Sequence, residues 1–119
     1  ISKAEPNIHA GIKYLQFLRQ RYFSDPAIAE LDQLLLSLAA YNAGPARVRG
    51  LRRRAEAMGY DPNVWFDNVE VIAAREIGRE TVQYVTNIYR YYLTYRMIAA
   101  QELKRRSARA AAGLGAGSG

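Results

Sequence analysis

Leu34-Leu35-Leu36-Ser37-Leu38-Ala39-Ala40-Tyr41-Asn42-Ala43-Gly44-Pro45 is an apolar helical stretch that runs into a forced stop. Leucines give way to small residues, then to a ring and an amide, then to glycine and proline. A helix interior tolerates those last two poorly. The chain restarts as Arg47-Val48-Arg49-Gly50-Leu51. A helix that ends on Tyr41 and Asn42 sets an aromatic ring and an amide where a ligand can reach them. The same pattern also fits an ordinary helix C-terminus, with Asn as a cap residue and Gly44 in the left-handed conformation. Local propensity alone favours that plainer ending.

Outward from this point the apolar spacing is helical throughout, and no useful length alternates with a strand's period of two. Pro6-Asn7 opens a first helix, in which Ile8, Ile12, Leu15 and Leu18 recur at three and four residues. It ends near Phe23, ahead of Ser24-Asp25-Pro26. A second helix runs from about Ile28 or Glu30 to Asn42, with Leu31, Leu34, Leu35, Leu38 and Ala39 as a wide apolar stripe. After Gly44-Pro45 a short basic helix reaches about Met58; Val48, Leu51 and Ala55 form its apolar face. Gly59-Tyr60-Asp61-Pro62 is a stop and turn. Residues 63–74 predict a short helix with Trp65, Phe66, Val69 and Ile72 inward. Beyond the break at Gly78, a last helix starts near Arg79-Glu80-Thr81 and passes Ile98. Val85, Ile88, Tyr92, Tyr95 and Ala99 are its expected core-facing stripe. The predicted architecture is all-α, about five helices with short connections.

The 119 residues suffice for one domain or part of one. Half are apolar, yet no stretch approaches the roughly 20 that a transmembrane helix needs. The absence of cysteine removes disulfide and thiolate chemistry and is compatible with any compartment. The chain starts at Ile1, with no basic-then-apolar leader, and reads as a fragment rather than as a chain whose signal was removed. Of the +6 net charge, much is local: four of the 17 basic and one of the 11 acidic side chains lie in 102–119, leaving +3 for the rest. Residues 1–101 are expected to form the helical unit. Residues 102–119 are a basic, then Ala/Gly-rich tail, expected to be disordered from Ser107.

Few residues offer chemistry of their own. His9 is the only histidine and reads as a surface or partly buried side chain. The carboxylates show no ligand spacing, so no metal is expected. No phosphate-cradling glycine loop is present. Glu70 lies between Trp65-Phe66 and Val71-Ile72, which offers partial desolvation or a plain surface salt bridge to a residue such as Arg75. Glu80 at the start of a helix reads as a dipole and capping contribution of about 0.3–1 kcal/mol. The nine tyrosines suit sugars or bases in a groove, and equally a wet core edge. The arginines from Arg47 to Arg54 suggest a solvated helix face or a small nucleic-acid binder.

Four blocks in order carry more. They are Asn7-Ile8-His9-Ala10-Gly11-Ile12-Lys13-Tyr14-Leu15, then Ala39 to Val48, then Trp65-Phe66-Asp67-Asn68-Val69-Glu70, then Glu80-Thr81-Val82-Gln83-Tyr84-Val85-Thr86-Asn87-Ile88. Together they resemble the catalytic domain of bacterial lytic murein transglycosylases, the lysozyme-like Slt group, with the closest look to the membrane-bound F type. The resemblance spans about residues 5–98.

That family cleaves the β-1,4 bond between N-acetylmuramic acid and N-acetylglucosamine in peptidoglycan, without water and without a cofactor. One Glu protonates the glycosidic oxygen, then acts as base on the muramyl 6-hydroxyl, and the sugar closes to a 1,6-anhydro product. The resemblance implies that Tyr41 and Asn42 line the glycan cleft beside the reacting bond. It implies that Glu80 and Tyr84 start the helix that closes the site, with Tyr84 near the acid. Asn7, Gly11 and Pro45 look structural. The family's acid stands in a Glu-Ser pair, followed by a Gly-Leu-Met-Gln segment, and both precede the Asn7-Ile8 block. Only Ile1-Ser2-Lys3-Ala4-Glu5-Pro6 precedes it here, so the acid is expected upstream of Ile1, and Glu5, Glu70 and Glu80 are not substitutes.

The chain is therefore expected to be the C-terminal part of a lysozyme-like domain, supplying the glycan-binding half of a cleft and inactive alone. Its partner would be peptidoglycan glycan strands rather than nucleic acid. Its place would be the bacterial envelope, in the periplasm or at the periplasmic face of the outer membrane. Membrane association would come only through a part not present in these residues. The alternative is a non-catalytic peptidoglycan-binding or scaffold domain.

Overall fold

The computed structural model describes the backbone of residues 4–117 and the side chains of residues 9–113. Among these residues there are five helices and no strand: α1 (Ala4–Tyr22), α2 (Glu30–Ala43), α3 (Pro45–Ala57), α4 (Glu70–Glu76) and α5 (Arg79–Gly117). The all-α architecture of about five helices is thus what the sequence pattern predicts. The chain divides into two compact units, residues 1–86 and residues 87–119.

In the first unit, α2 is the central element. Leu35, Leu36, Leu38, Ala39 and Ala40 are all buried, and Ser37 among them is fully enclosed. The Ser37 hydroxyl is satisfied by donating to the carbonyl of Gln33, one turn back. Around α2 gather Leu18 and Phe23 from α1 and its end, Val48, Leu51 and Ala55 from α3, and Ile72 and Ala73 from α4. Val85 in the second turn of α5 completes the set. Ile12 and Leu31, expected on core-facing stripes, are instead exposed. The expected places of Asn7 and Ile8 concern side chains outside those described.

Polar contacts close the connections. The Asp25 carboxylate accepts from the Ala27 N–H at 2.9 Å, turning the chain after α1. Gln33 then ties that turn to both helices: its Nε2 donates to the Ile28 carbonyl at 3.0 Å, and its Oε1 accepts from Arg19 Nε at 3.0 Å. Asp32 on α2 accepts from the Trp65 N–H at 3.0 Å, which fixes the segment leading to α4. Arg54 on α3 pairs with Glu76 on α4.

Residues 63–74 do not form the single helix that their pattern predicts. Trp65–Val69 make an irregular wide turn, with Phe66 extended and Asp67 at φ 60°, and α4 begins only at Glu70. The inward residues are as expected: Trp65, Val69 and Ile72 are buried and Phe66 is half-buried. Local hydrogen bonds outcompete the helix. Asn68 Nδ2 donates to the Phe66 carbonyl at 2.9 Å, its Oδ1 accepts from the Asp61 N–H at 2.9 Å, and Glu70 Oε1 accepts from the Asp67 N–H at 3.1 Å.

The second unit is the continuation of α5. Tyr92, Tyr95 and Ala99, expected to face a core, are exposed, Tyr95 at 72%. Residues 107–117, whose composition suggests a loose tail, lie within α5. Alanine at 108 and at 110–112 supplies the highest intrinsic helix propensity. Glu102 supports the same stretch by facing Arg105 and Arg106 at 3.6 Å each, one turn on.

Candidate functional site

The site forms where α2 ends. Ala39 and Ala40 are fully packed, so the backbone of the last turn lies in the core while Tyr41 and Asn42 emerge to solvent. Both are still inside α2, so Asn42 is not the cap. The Gly44 N–H closes the helix on the Ala40 carbonyl at 2.8 Å. Gly44 has φ 97° and ψ 142°, not the left-handed helical conformation of a common C-cap but a region that glycine alone occupies comfortably. This sharp turn lets Pro45 start α3 at once, where its fixed φ suits the first helical position.

Tyr41 is the middle of a row of rings. Its centroid lies 6.5 Å from that of Tyr84, with the planes 4° apart. On its other side Tyr14 of α1 lies 5.7 Å away at 54°, and Tyr14 stacks on Phe17 at 6.2 Å and 15°. Three helices thus contribute one aromatic ledge, with Tyr14, Phe17 and Tyr41 between 40% and 52% exposed. The ledge depends on Gly11: a Cβ built there would stand 2.9 Å from the Tyr41 hydroxyl. Tyr14 recurs three residues after Gly11, so both share the face of α1 that meets Tyr41.

Beside the rings, the buried Thr81 hydroxyl donates to Asn42 Oδ1 at 2.7 Å. That bond orients the exposed amide and leaves its Nδ2 free to donate outward. Burial pushes the Tyr84 phenol above the usual tyrosine range, and the neighbouring Tyr41 pushes it the same way. Tyr84 therefore stays a neutral hydroxyl that can both donate and accept.

Of the four residues named from sequence, Tyr41 and Tyr84 stack on each other, and Asn42, next to Tyr41 in the chain, is bonded to Thr81 three residues before Tyr84. Glu80 is exposed in the first turn of α5, one turn before Tyr84 and so on the same side of that helix, yet it makes no hydrogen bond to the other three. Glu70 accepts from the Asp67 N–H and lines a separate groove of about 440 Å³, together with Arg75, Arg79 and Gln83. Sequence reasoning passed over Tyr14 and Phe17 as members of the ledge. The Gly11/Tyr14 spacing was their available signal. Among the described residues no group of three His, Asp or Glu side chains could hold a metal ion. Among the described residues no helix is long and apolar enough to cross a membrane.

The molecule is an all-α domain with an aromatic ledge and an oriented amide at a helix end. Residues 1–64 match the transglycosylase SLT domain, and the chain belongs to that family. It is similar to proteins named membrane-bound lytic murein transglycosylase F. The one from Shewanella woodyi is 35% identical over 104 residues, covering 76% of this chain and 21% of the relative. The one from Desulfosudis oleivorans is 38% identical over 103 residues, with 74% and 22% covered. The one from Pseudomonas fluorescens is 34% identical over 101 residues, with 72% and 20% covered. The chain thus spans about a fifth of the length of these relatives. No solved structure matches it.

Proposed function

We propose that this chain is the glycan-binding wall of a peptidoglycan lytic transglycosylase, which cleaves the bond from N-acetylmuramic acid to N-acetylglucosamine and leaves a 1,6-anhydro product. The stacked Tyr41–Tyr84 pair carries this reading, since sugar faces pack on exposed aromatic rings while polar groups beside them fix orientation. Asn42, held by Thr81, presents Nδ2 to an acyl or hydroxyl oxygen of the sugar. The neutral Tyr84 hydroxyl exchanges hydrogen bonds with the ring substituents. Glu80, on the open side of the same helix end, accepts from sugar hydroxyls.

The proton donor is assigned to a residue outside these 119. A carboxylic acid kept protonated near neutral pH needs a secluded apolar setting. Glu80 is exposed, and Glu70 already accepts a backbone N–H at the head of α4. The same reading implies the bacterial envelope, in the periplasm or at the periplasmic face of the outer membrane.

The test is binding to soluble glycan strands. Removing one stacking ring, at about 0.5–1.5 kcal/mol, predicts that Tyr41→Ala weakens binding about twofold to tenfold. Unchanged affinity would remove the basis of the proposal. Incubation of the chain with peptidoglycan should release no 1,6-anhydro muropeptides, and robust release would refute the outside acid. A non-catalytic binding domain is the second reading, favoured by the lack of a secluded carboxylate at the ledge among the described residues. A Glu-Ser followed by Gly-Leu-Met-Gln encoded ahead of Ile1 would decide for the enzyme.

A further inference from the structure

A second concave feature lies past Pro45, where the end of α1 meets the start of α3. It is a cavity of about 150 Å³ lined by Arg21, Tyr22, Phe23, Pro45, Arg49 and Arg52. Three guanidinium groups line it and no carboxylate does. Arg21 and Arg49 both lie over the Tyr22 ring, 5.3 and 5.7 Å from its centroid. Neither has a carboxylate partner within 4.0 Å among the described residues.

Arg52 is held more firmly. Its Nε donates to the Pro62 carbonyl and its Nη2 to Asn63 Oδ1, both at 2.8 Å, and it lies 5.7 Å from the centroid of Phe23. Burial lowers its pKa, with Asp25 and then Glu56 opposing the shift, so the group is partly stripped of water yet charged. Asp25 and Glu56 offset the charge of Arg52 only from outside the pocket lining, Arg21 and Arg49 have no such partner among the described residues, and the fork geometry of guanidinium suits a planar carboxylate. Pro45 places the cavity just past the helix end that carries Tyr41 and Asn42.

We infer that the pocket framed by Arg21, Arg49 and Arg52 holds a carboxylate of the peptide stem carried by the glycan. This rests on the glycan reading of the ledge. Peptide stems bear free carboxylates beside the sugar backbone, so a strand lying on the ledge brings its own anions past Pro45. The site then favours strands that still carry their peptides over bare glycan. Arg21 and Arg49 are exposed and free to close on the anion, whereas Arg52 is the fixed wall.

The test compares peptide-bearing glycan strands with strands stripped of peptide by an amidase, using the chain and its Arg21→Gln/Arg49→Gln double variant. Arg52 is left in place because it also supports the turn at Pro62. The unmodified chain should bind peptide-bearing strands about tenfold more tightly, as one charge-assisted contact would give. The double variant should lose that preference and bind stripped strands as before. Equal affinity of the unmodified chain for both strands overturns the inference, as does a preference that survives in the double variant. Tyr41→Ala separates the two readings. It should weaken binding of both strands alike, and if stripped strands bind it as well as the parent, the glycan reading itself fails. Titration with N-acetylmuramyl-L-alanyl-D-glutamate should also shift the Arg21 and Arg49 side-chain NMR signals. The fully amidated compound should not, and equal shifts from both would count against the site.

Discussion

Gly11→Ala separates the fold from the site, because it should leave the one and damage the other. The new methyl carbon would stand 2.9 Å from the Tyr41 hydroxyl, where ordinary contact begins near 3.4 Å. The hydroxyl is the far end of a side chain that is 40% exposed, so the ring can swing outward rather than force the helices apart. In doing so it leaves its 4° stack on Tyr84 and its contact with Tyr14. Losing these two aromatic pairs costs about 1–3 kcal/mol. Replacing glycine by alanine inside a helix returns about 0.8–1.0 kcal/mol. The net loss of stability should therefore be no more than about 2 kcal/mol, while glycan affinity falls about threefold to tenfold. Chemical denaturation gives the first quantity and titration with soluble glycan strands the second. Unchanged affinity together with unchanged NMR shifts at Tyr41 and Tyr84 would refute the close-approach argument. A loss of several kcal/mol would show that the helices, not the ring, give way.

Gly44→Ala should destabilise by about 1–3 kcal/mol, because φ 97° with ψ 142° is open only to glycine; a denaturation midpoint equal to the parent's would contradict that backbone assignment. Thr81→Val removes the hydroxyl that orients Asn42 and should cost about 1 kcal/mol of stability. It should also weaken glycan binding, and retained affinity would show that the amide needs no holding. The Tyr84 phenol titrates above its usual value of 10.0 in the folded protein, so the folded state holds that proton more tightly than the unfolded one. Its contribution to stability is complete below pH 10 and is lost as the pH rises through the raised value. Tyr84→Phe should flatten the alkaline fall of the melting temperature above pH 10, and an identical fall in the variant would rule Tyr84 out as its source.

The helical class, the stop at Gly44-Pro45 and the buried faces of α2 and α3 are legible in the sequence because they rest on spacing within one turn or two. Tyr41, Asn42, Glu80 and Tyr84 are legible as a set only through resemblance to a family, since nothing local joins residues some forty positions apart. That Thr81 holds Asn42 and that Tyr14 backs Tyr41 had no signal comparable in strength. Both depend on how α1, α2 and α5 meet.

The misreadings come from reading helical periodicity alone. Periodicity records which face of a helix is apolar, but not whether another element covers it. It therefore placed Ile12, Leu31, Tyr92 and Tyr95 inward when they are exposed. It also carried a helix through Trp65-Phe66-Asp67, where side-chain hydrogen bonds to the backbone hold a turn instead. The sequence by itself determined a set of helices and where each begins to fail. The tertiary structure decided which rings align into a ledge, which arginines converge and which carboxylates stay in water. Those outcomes depend on distances between residues far apart in the chain, and such distances exist only after the helices pack.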